Sequence, residues 1–565
     1  MSIRIATFLT ALVLLACCHA FAGATIVVNV VDLPGEGFND PTPVDPVGNN
    51  PGITLGEQRL IVFQFAADLW GSLLESDAEI VVQATYRDMP CTAGSAVLAS
   101  AGSVRILADF PDAPFTDTWY QPALANKLAG HDLTPGGPDP GLLVEPFNDD
   151  MYLLINVAVD VDPVCLGAVG WYYGLDNNAG TQIDLLNVAM HEMAHGLGFA
   201  NFVNESTGAG PGGLTDAYSR LTYDTAMSKH WHEMTDAERV VSATSPGHVV
   251  WAGDHVRAQA PHVLGPRPVL KVMPPSTAAG MYEVTTATFG SPVVTEGTIG
   301  ELMLADDGAG VATDACEPLI GNFSDSIVLA DRGACAFTTK AAHAQQAGAI
   351  GVVVINNEPL GLPPMTGQDD SIVIPSVGLS QGDGTALKID LPGVQGEICF
   401  DETRLAGTDE AANIRLFANT ASGSAISHWD LAAMPNLLME PVFHPDLQAT
   451  ETVDLTSRAL ADLGWDECPD SDFSPDVMMD QCDPEIANQV MNNGCTINDV
   501  LSRCYDGSAY DRRCVDDASR LLVDDGVIAN SDKVALKQCV KKKKTKPGKK
   551  PPRDRTTGSR GRGRR

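Results

Sequence analysis

The chain has 565 residues, of which 44% are hydrophobic and 19% charged, with a formal net charge of −36. Length and apolar content suffice for three or more packed units, at about 150 residues each. So acidic a body disfavours nucleic acid as the main partner, and no stretch is apolar enough to span a bilayer as a helix.

Residues 1–24 read as a secretory signal: Arg4, an apolar run from Ile5 to Cys18, then the small residues of Ala20 to Ala24, with cleavage expected after Ala22 or Ala24. The mature chain is expected to be secreted, so its remaining eleven cysteines read first as disulfides, with one left over. Cys91 and Cys165 are expected to bridge each other. A propeptide thiol at Cys91 is disfavoured, because strand-like segments begin almost at once after the signal.

Strand patterns are expected over Thr25 to Val31, Ile80 to Thr85, Ser103 to Ala108 and Met151 to Val159. A helix is expected over Gly56 to Leu74, with Phe63, Phe65, Ala66, Leu69 and Trp70 at helical spacing. Together they suggest a twisted sheet with one helix packed on it.

The apolar run Ile183 to Met190 then leads into His191-Glu192-Met193-Ala194-His195-Gly196-Leu197-Gly198-Phe199. On a helix, positions i and i+4 share a face, so His191 and His195 can hold one Zn2+ ion with Glu192 beside its open side as general base. Zinc would lower the pKa of a bound water to about 7 and polarise a peptide carbonyl. Gly196 and Gly198 can end the helix and let the backbone turn under the metal. A bare HExxH also occurs on solvated helices, but the apolar run before it suits a buried one.

The third ligand is not adjacent. Asn201 stands three positions beyond Gly198, and an amide is a poor zinc ligand. The candidates elsewhere are His131, His230, His232, His248, His255, His262, His343, His428 and His444, or an acid such as Glu205. Around His428 the chain reads Ile426-Ser427-His428-Trp429-Asp430, then Leu437-Leu438-Met439-Glu440-Pro441, and closes on Ala461-Asp462-Leu463-Gly464-Trp465.

In that order, these motifs resemble the leishmanolysin-type metzincins over residues 25–265 and 405–466. The resemblance implies His191, His195 and His428 as zinc ligands, Glu192 as base and Met439 as the Met-turn residue. It also implies a cleft between a sheet edge and the zinc, where an extended protein or peptide substrate pairs as an added strand.

Residues 268–403 interrupt that match and place His195 and His428 233 positions apart. The strand-helix-strand pattern of Ile327 to Asn357 carries Asp331-Arg332-Gly333-Ala334-Cys335-Ala336-Phe337 and is followed by Ile374-Pro375-Ser376-Val377. It is similar to a protease-associated (PA) domain, which implies a lid, a substrate-docking surface or a spacer without chemistry of its own. Cys316 and Cys335 are the bridge expected within it.

Residues 467–540 form a cysteine-rich module in which Ile497 to Cys504 and Cys514 to Leu522 look helical. Asp466 to Asp483 is acidic but lacks a complete EF-hand pattern. Residues 541–565 hold thirteen Lys or Arg and one Asp, a tail of +12 that leaves −48 on the rest. Such a tail is expected to be disordered and suits an anionic envelope surface or polyanion through nonspecific contacts.

The expected fold class is α+β: a metzincin-like twisted sheet with an active-site helix (25–267 and 404–466), an inserted PA β/α domain (268–403), and a small cysteine-rich helical module. The expected function is that of a secreted zinc endopeptidase with Glu192 as general base. The alternatives are a catalytically silent exported binding or adhesion protein, or a zinc amidase acting on cell-wall peptide. An intact Glu192 disfavours the silent protein.

Overall fold

The computed structural model describes residues 23–134, 149–359, 361–418, 425–444, 447 and 453–465, and, with interruptions, 474–540. The expected signal through Ala22, most of the acidic stretch Asp466–Asp483 and the basic tail from Lys541 lie outside the described residues. The chain divides into a unit of residues 1–470 with 492–495 and a unit of residues 471–491 with 496–565.

The first unit begins with β1 (Ile26–Val30), α1 (Leu55–Leu73), β2 (Ile80–Arg87), β3 (Ala99–Ser103) and β4 (Met151–Asn156). The strands stand in the order β1-β2-β4-β3, with β3 antiparallel on the edge and the others parallel. Helix α1 starts at a capping box: Thr54 Oγ1 accepts from the Glu57 N–H, and the Glu57 carboxylate accepts from the Thr54 N–H. Its buried Val62, Phe63, Ala66, Ala67 and Trp70 repeat at three and four residues and join the core of Ile80, Val82, Leu153 and Ile155.

The next helix, α2 (Leu185–Leu197), carries the HExxH residues. Asp184 caps it by accepting from the Leu186 N–H at 2.9 Å, and Trp70 Nε1 donates to the Met190 carbonyl at 3.1 Å, tying α2 to α1. At Gly196 a Cβ would lie 2.3 Å from Met151 Sδ, so glycine lets α2 approach strand β4. Gly198 ends the helix at φ 141°, a conformation that favours glycine.

Two strand boundaries differ from expectation. The strand expected at Ser103 to Ala108 lies instead at Ala99–Ser103, where pairing with Ile155 to Met151 sets its register. The strand expected to run to Val159 stops at Asn156, and Ala158–Val161 forms a helical turn. The Asn156 side chain stops it: Oδ1 accepts from the N–H groups of Met89 and Ala158, and Nδ2 donates to the Val97 carbonyl.

The chain on either side of the insertion shares one core. Strand β5 (Val249–Trp251) pairs with Ile414 to Leu416, and Leu416 bridges Trp429. Trp251, Trp429, Leu437, Met439, Leu460 and Trp465 pack in the same cluster as Met190, Met193 and Leu197 of α2. Trp465 Nε1 donates to the Leu197 carbonyl at 2.8 Å.

The insertion is built on strands β6 (Pro266–Val272), β7 (Gly280–Glu283), β8 (Thr285–Thr286), β9 (Thr298–Leu304), β10 (Ser326–Asp331), β11 (Gly351–Ile355), β12 (Ser376–Leu379) and β13 (Gln395–Leu405). Their order is β7-β6-β13-β9-β10-β11-β12-β8, parallel from β9 to β12 and antiparallel elsewhere. Helices Phe337–Gln346 and Gln381–Asp390 accompany it. Alternate residues serve two cores: Ile327, Leu329, Val353 and Ile355 on one face, Val328, Ala330, Val352 and Val354 on the other. Disulfides join Cys91 to Cys165 and Cys316 to Cys335; Cys399, buried on β13, is the free cysteine among the described residues.

In the second unit, helices Ile497–Ser502, Arg512–Asp524 and Asn530–Cys539 enclose a small core that includes Val477, Ile497, Leu501, Val515, Leu522 and Leu536. Disulfides Cys482–Cys539 and Cys504–Cys514 staple it, as so small a core requires. The sequence suggested two helices. The third, at Asn530–Cys539, escaped because Leu536 is its buried residue and one apolar anchor makes no period.

Candidate metal centre and cleft

His191 and His195 project from one face of α2, and His428 reaches them from the far side of the insertion. Their ring centroids form a near-equilateral triangle of 4.9, 4.9 and 5.2 Å. One ring nitrogen from each lies within 4.8 Å of the others, and His428 Nε2 is 3.3 Å from His191 Nε2. His230, His232 and Glu205 are not members of this group.

The backbone fixes which nitrogens face inward. His191 Nδ1 donates to the Leu438 carbonyl and His195 Nδ1 to the Phe199 carbonyl, both at 2.7 Å. A carbonyl only accepts, so each Nδ1 carries the proton and each Nε2 offers a bare lone pair. Burial pulls the His191 imidazole down to about 4 and that of His195, which also feels His191, to about 3. Neutral imidazoles with bare nitrogens turned towards one another repel unless a cation lies between them. The donor set of three imidazoles fits Zn2+ with an open fourth position.

Glu192 is 8% exposed beside this triangle. Burial pushes its carboxyl up to about 8, opposed by a hydrogen bond from the Ala101 N–H on edge strand β3. Met439 is fully buried near the centre, and its carbonyl accepts from the Trp429 N–H at 2.8 Å, which ties the turn to the residue after His428.

The centre lies on a cleft of ≈ 870 Å³. Ser95 to Ala101 form one wall, Glu440 to Phe443 line another, and Leu166, Val169 and Val188 add apolar surface. Leu98 accepts from the Asn156 N–H, so the even-numbered residues of β3 bond to β4, and Ala99 and Ala101 turn their backbone groups outward.

Three features were not legible in the sequence. The Ala101 contact depends on strand register. Glu440 Oε2 lies 2.8 Å from His444 Nε2 in a buried pair, and burial pushes the Glu440 carboxyl up to about 7. Asn201, unsuited as a ligand, has both its backbone N–H and its Nδ2 on Ser427 Oγ, at 3.1 and 2.9 Å. Its place in the metal-site motif was the signal for it.

Residues 293–387 match the PA domain family, so the chain contains a PA domain within its insertion. Leucine aminopeptidase 2 of Trichophyton equinum is 42% identical over 89 residues, 16% of this chain and 17% of that protein. Vacuolar-sorting receptor 7 of Arabidopsis thaliana is 29% identical over 150 residues, 26% of this chain and 22% of that protein. The chain thus spans less than a quarter of these curated relatives. Among solved structures, a zinc aminopeptidase from Bacillus subtilis is 21% identical over 26% of this chain and 35% of its own, at a TM-score of 0.19. A subtilisin-like protease from Pseudoalteromonas sp. AS-11 is 16% identical over 43% of this chain and 51% of its own, at a TM-score of 0.21.

Proposed function

We propose that this chain is a secreted zinc endopeptidase of leishmanolysin-like metzincin type, with His191, His195 and His428 as ligands. The observation that carries the reading is the convergence of three imidazoles beside a buried carboxylate on one cleft. A zinc ion held there would supply Lewis acidity towards a peptide carbonyl and acidify water.

The chain's own residues do the rest. Glu192, buried beside the three imidazoles, takes the proton of the attacking water and returns it to the departing amine. The outward backbone groups of β3 hold an extended peptide as an added strand. Met439 packs the turn beneath the ligands. The PA domain serves as lid, docking surface or spacer, and the basic tail suits an anionic envelope surface. Four disulfides among the described residues accord with export, and no described helix is long and apolar enough to cross a membrane.

Casein hydrolysis by the parent and by Glu192→Ala, matched for zinc and folding, tests this. Loss of activity by about a hundredfold or more in the variant alone is expected. Equal activity in both would remove Glu192 from the mechanism. Fragments with internal cleavage distinguish an endopeptidase from an enzyme that trims amino termini.

A further inference from the structure

Both crossings between the zinc-site half and the insertion converge on one carboxylate. Arg267 lies on β6, where the chain leaves the zinc-site half, and Arg415 lies ten residues beyond the end of β13, after the chain returns. Arg415 Nη1 and Nη2 donate to the two oxygens of Glu283, at the end of β7, at 2.9 and 2.8 Å. Arg267 Nη1 is 3.8 Å from the same carboxylate, and both arginines donate to the Thr408 carbonyl. The side chains of Arg267 and Arg415 are 14% and 12% exposed, and each Nε is buried without a partner. Without Glu283, Arg415 would lose its two-pronged partner, and the two poorly solvated cations would be left with Asp430 and Asp409 beside Arg415 and Asp401 beside Arg267.

Arg415 is directly linked to the metal site. Leu416 bridges Trp429, Phe417 N–H donates to the His428 carbonyl, and Asp430 N–H donates to the Arg415 carbonyl. In this antiparallel register Arg415 opposes Asp430 and Phe417 opposes His428. The strand carrying His428 is therefore held from both of its ends. On its amino-terminal side, Asn201 holds Ser427 and the Tyr218 hydroxyl donates to the Ile426 carbonyl at 2.8 Å. On its carboxy-terminal side the anchor is Arg415, and Arg415 is held from the PA sheet.

We propose that Glu283 is a positioning residue of the metal site, so that the inserted domain helps to set the third ligand. This rests on the reading of His428 as a zinc ligand. When Glu283 is removed, Arg415 loses its two-pronged contact, the 414–418 strand shifts, and His428 moves with it. The domain's contribution is ligand geometry, which a lid or a spacer would not provide.

The test measures zinc affinity of the full chain by competition with a chelator, together with the absorption spectrum of the Co2+-substituted protein. Glu283→Gln is expected to weaken zinc binding by about tenfold at unchanged circular dichroism and to alter the cobalt spectrum. In a His428→Ala background the same substitution is expected to cost nothing further. Zinc affinity within about twofold of the parent, or an equal loss in both backgrounds, would overturn the proposal. If Glu283→Gln does not fold, Arg415→Lys, which keeps the charge and loses the two-pronged contact, is judged by the same thresholds. A parent without zinc, or a His428→Ala variant that binds it as tightly, would instead overturn the zinc reading itself.

Discussion

At the scale of single residues, burial has opposite uses for acids and for imidazoles. It keeps His191 and His195 neutral, which suits them to a cation, and it raises the proton affinity of Glu192. Asp150 shows the same physics away from the site. It accepts from the Val81 N–H and Asn126 Nδ2, yet burial, with Asp132 and Asp149 nearby, pushes it from 3.8 up to about 7. Between those values the folded chain holds a proton that the unfolded chain has released, so this group's contribution to stability falls as pH rises from about 4 to about 7. Asp150→Asn is therefore expected to flatten the fall of the thermal midpoint over that range. Parallel curves for parent and variant would mean that Asp150 is already ionised in the fold.

Among the elements, α2 was readable and β3 was not. The helix announced itself through Ile183 to Met190, an apolar run that packs on the sheet and on α1. Strand β3 reads Ala99-Ser100-Ala101-Gly102-Ser103, has no apolar alternation, and exists because its backbone pairs with β4. Its outward groups at Ala99 and the carbonyl of Ala101 are the edge proposed to pair with substrate, the Ala101 N–H being held by Glu192. Proline at position 99 removes an outward N–H and leaves the β4 ladder intact. Ala99→Pro is expected to lower kcat/KM on peptides by about tenfold, the value of one hydrogen bond of about 1 to 1.5 kcal/mol, at unchanged zinc content. An unaffected kcat/KM would mean that substrate does not pair along this edge.

Over the whole molecule, legibility followed locality. His191, Glu192 and His195 lie within one helical turn, so spacing alone suggested them; His428 was reached through a motif resemblance. The structure brings His428 to the other two because the segments flanking the insertion share one core around Trp251, Trp429 and Trp465. Disulfides Cys91–Cys165 and Cys316–Cys335 were expected and are present. What sequence could not supply was long-range pairing: the placing of Asn201 against Ser427, of Glu283 against Arg415, and of Ala101 against Glu192. None of these has a local period, and each depends on two segments meeting only in the folded chain.

Three histidines from both sides of the insertion are proposed to hold one zinc ion. The most direct measurement is metal content after dialysis of the purified parent and of His428→Ala, with circular dichroism to confirm that both are folded. One zinc per chain is expected in the parent, and its loss in the folded variant. Full zinc retention by His428→Ala would contradict this and assign the third ligand to another residue.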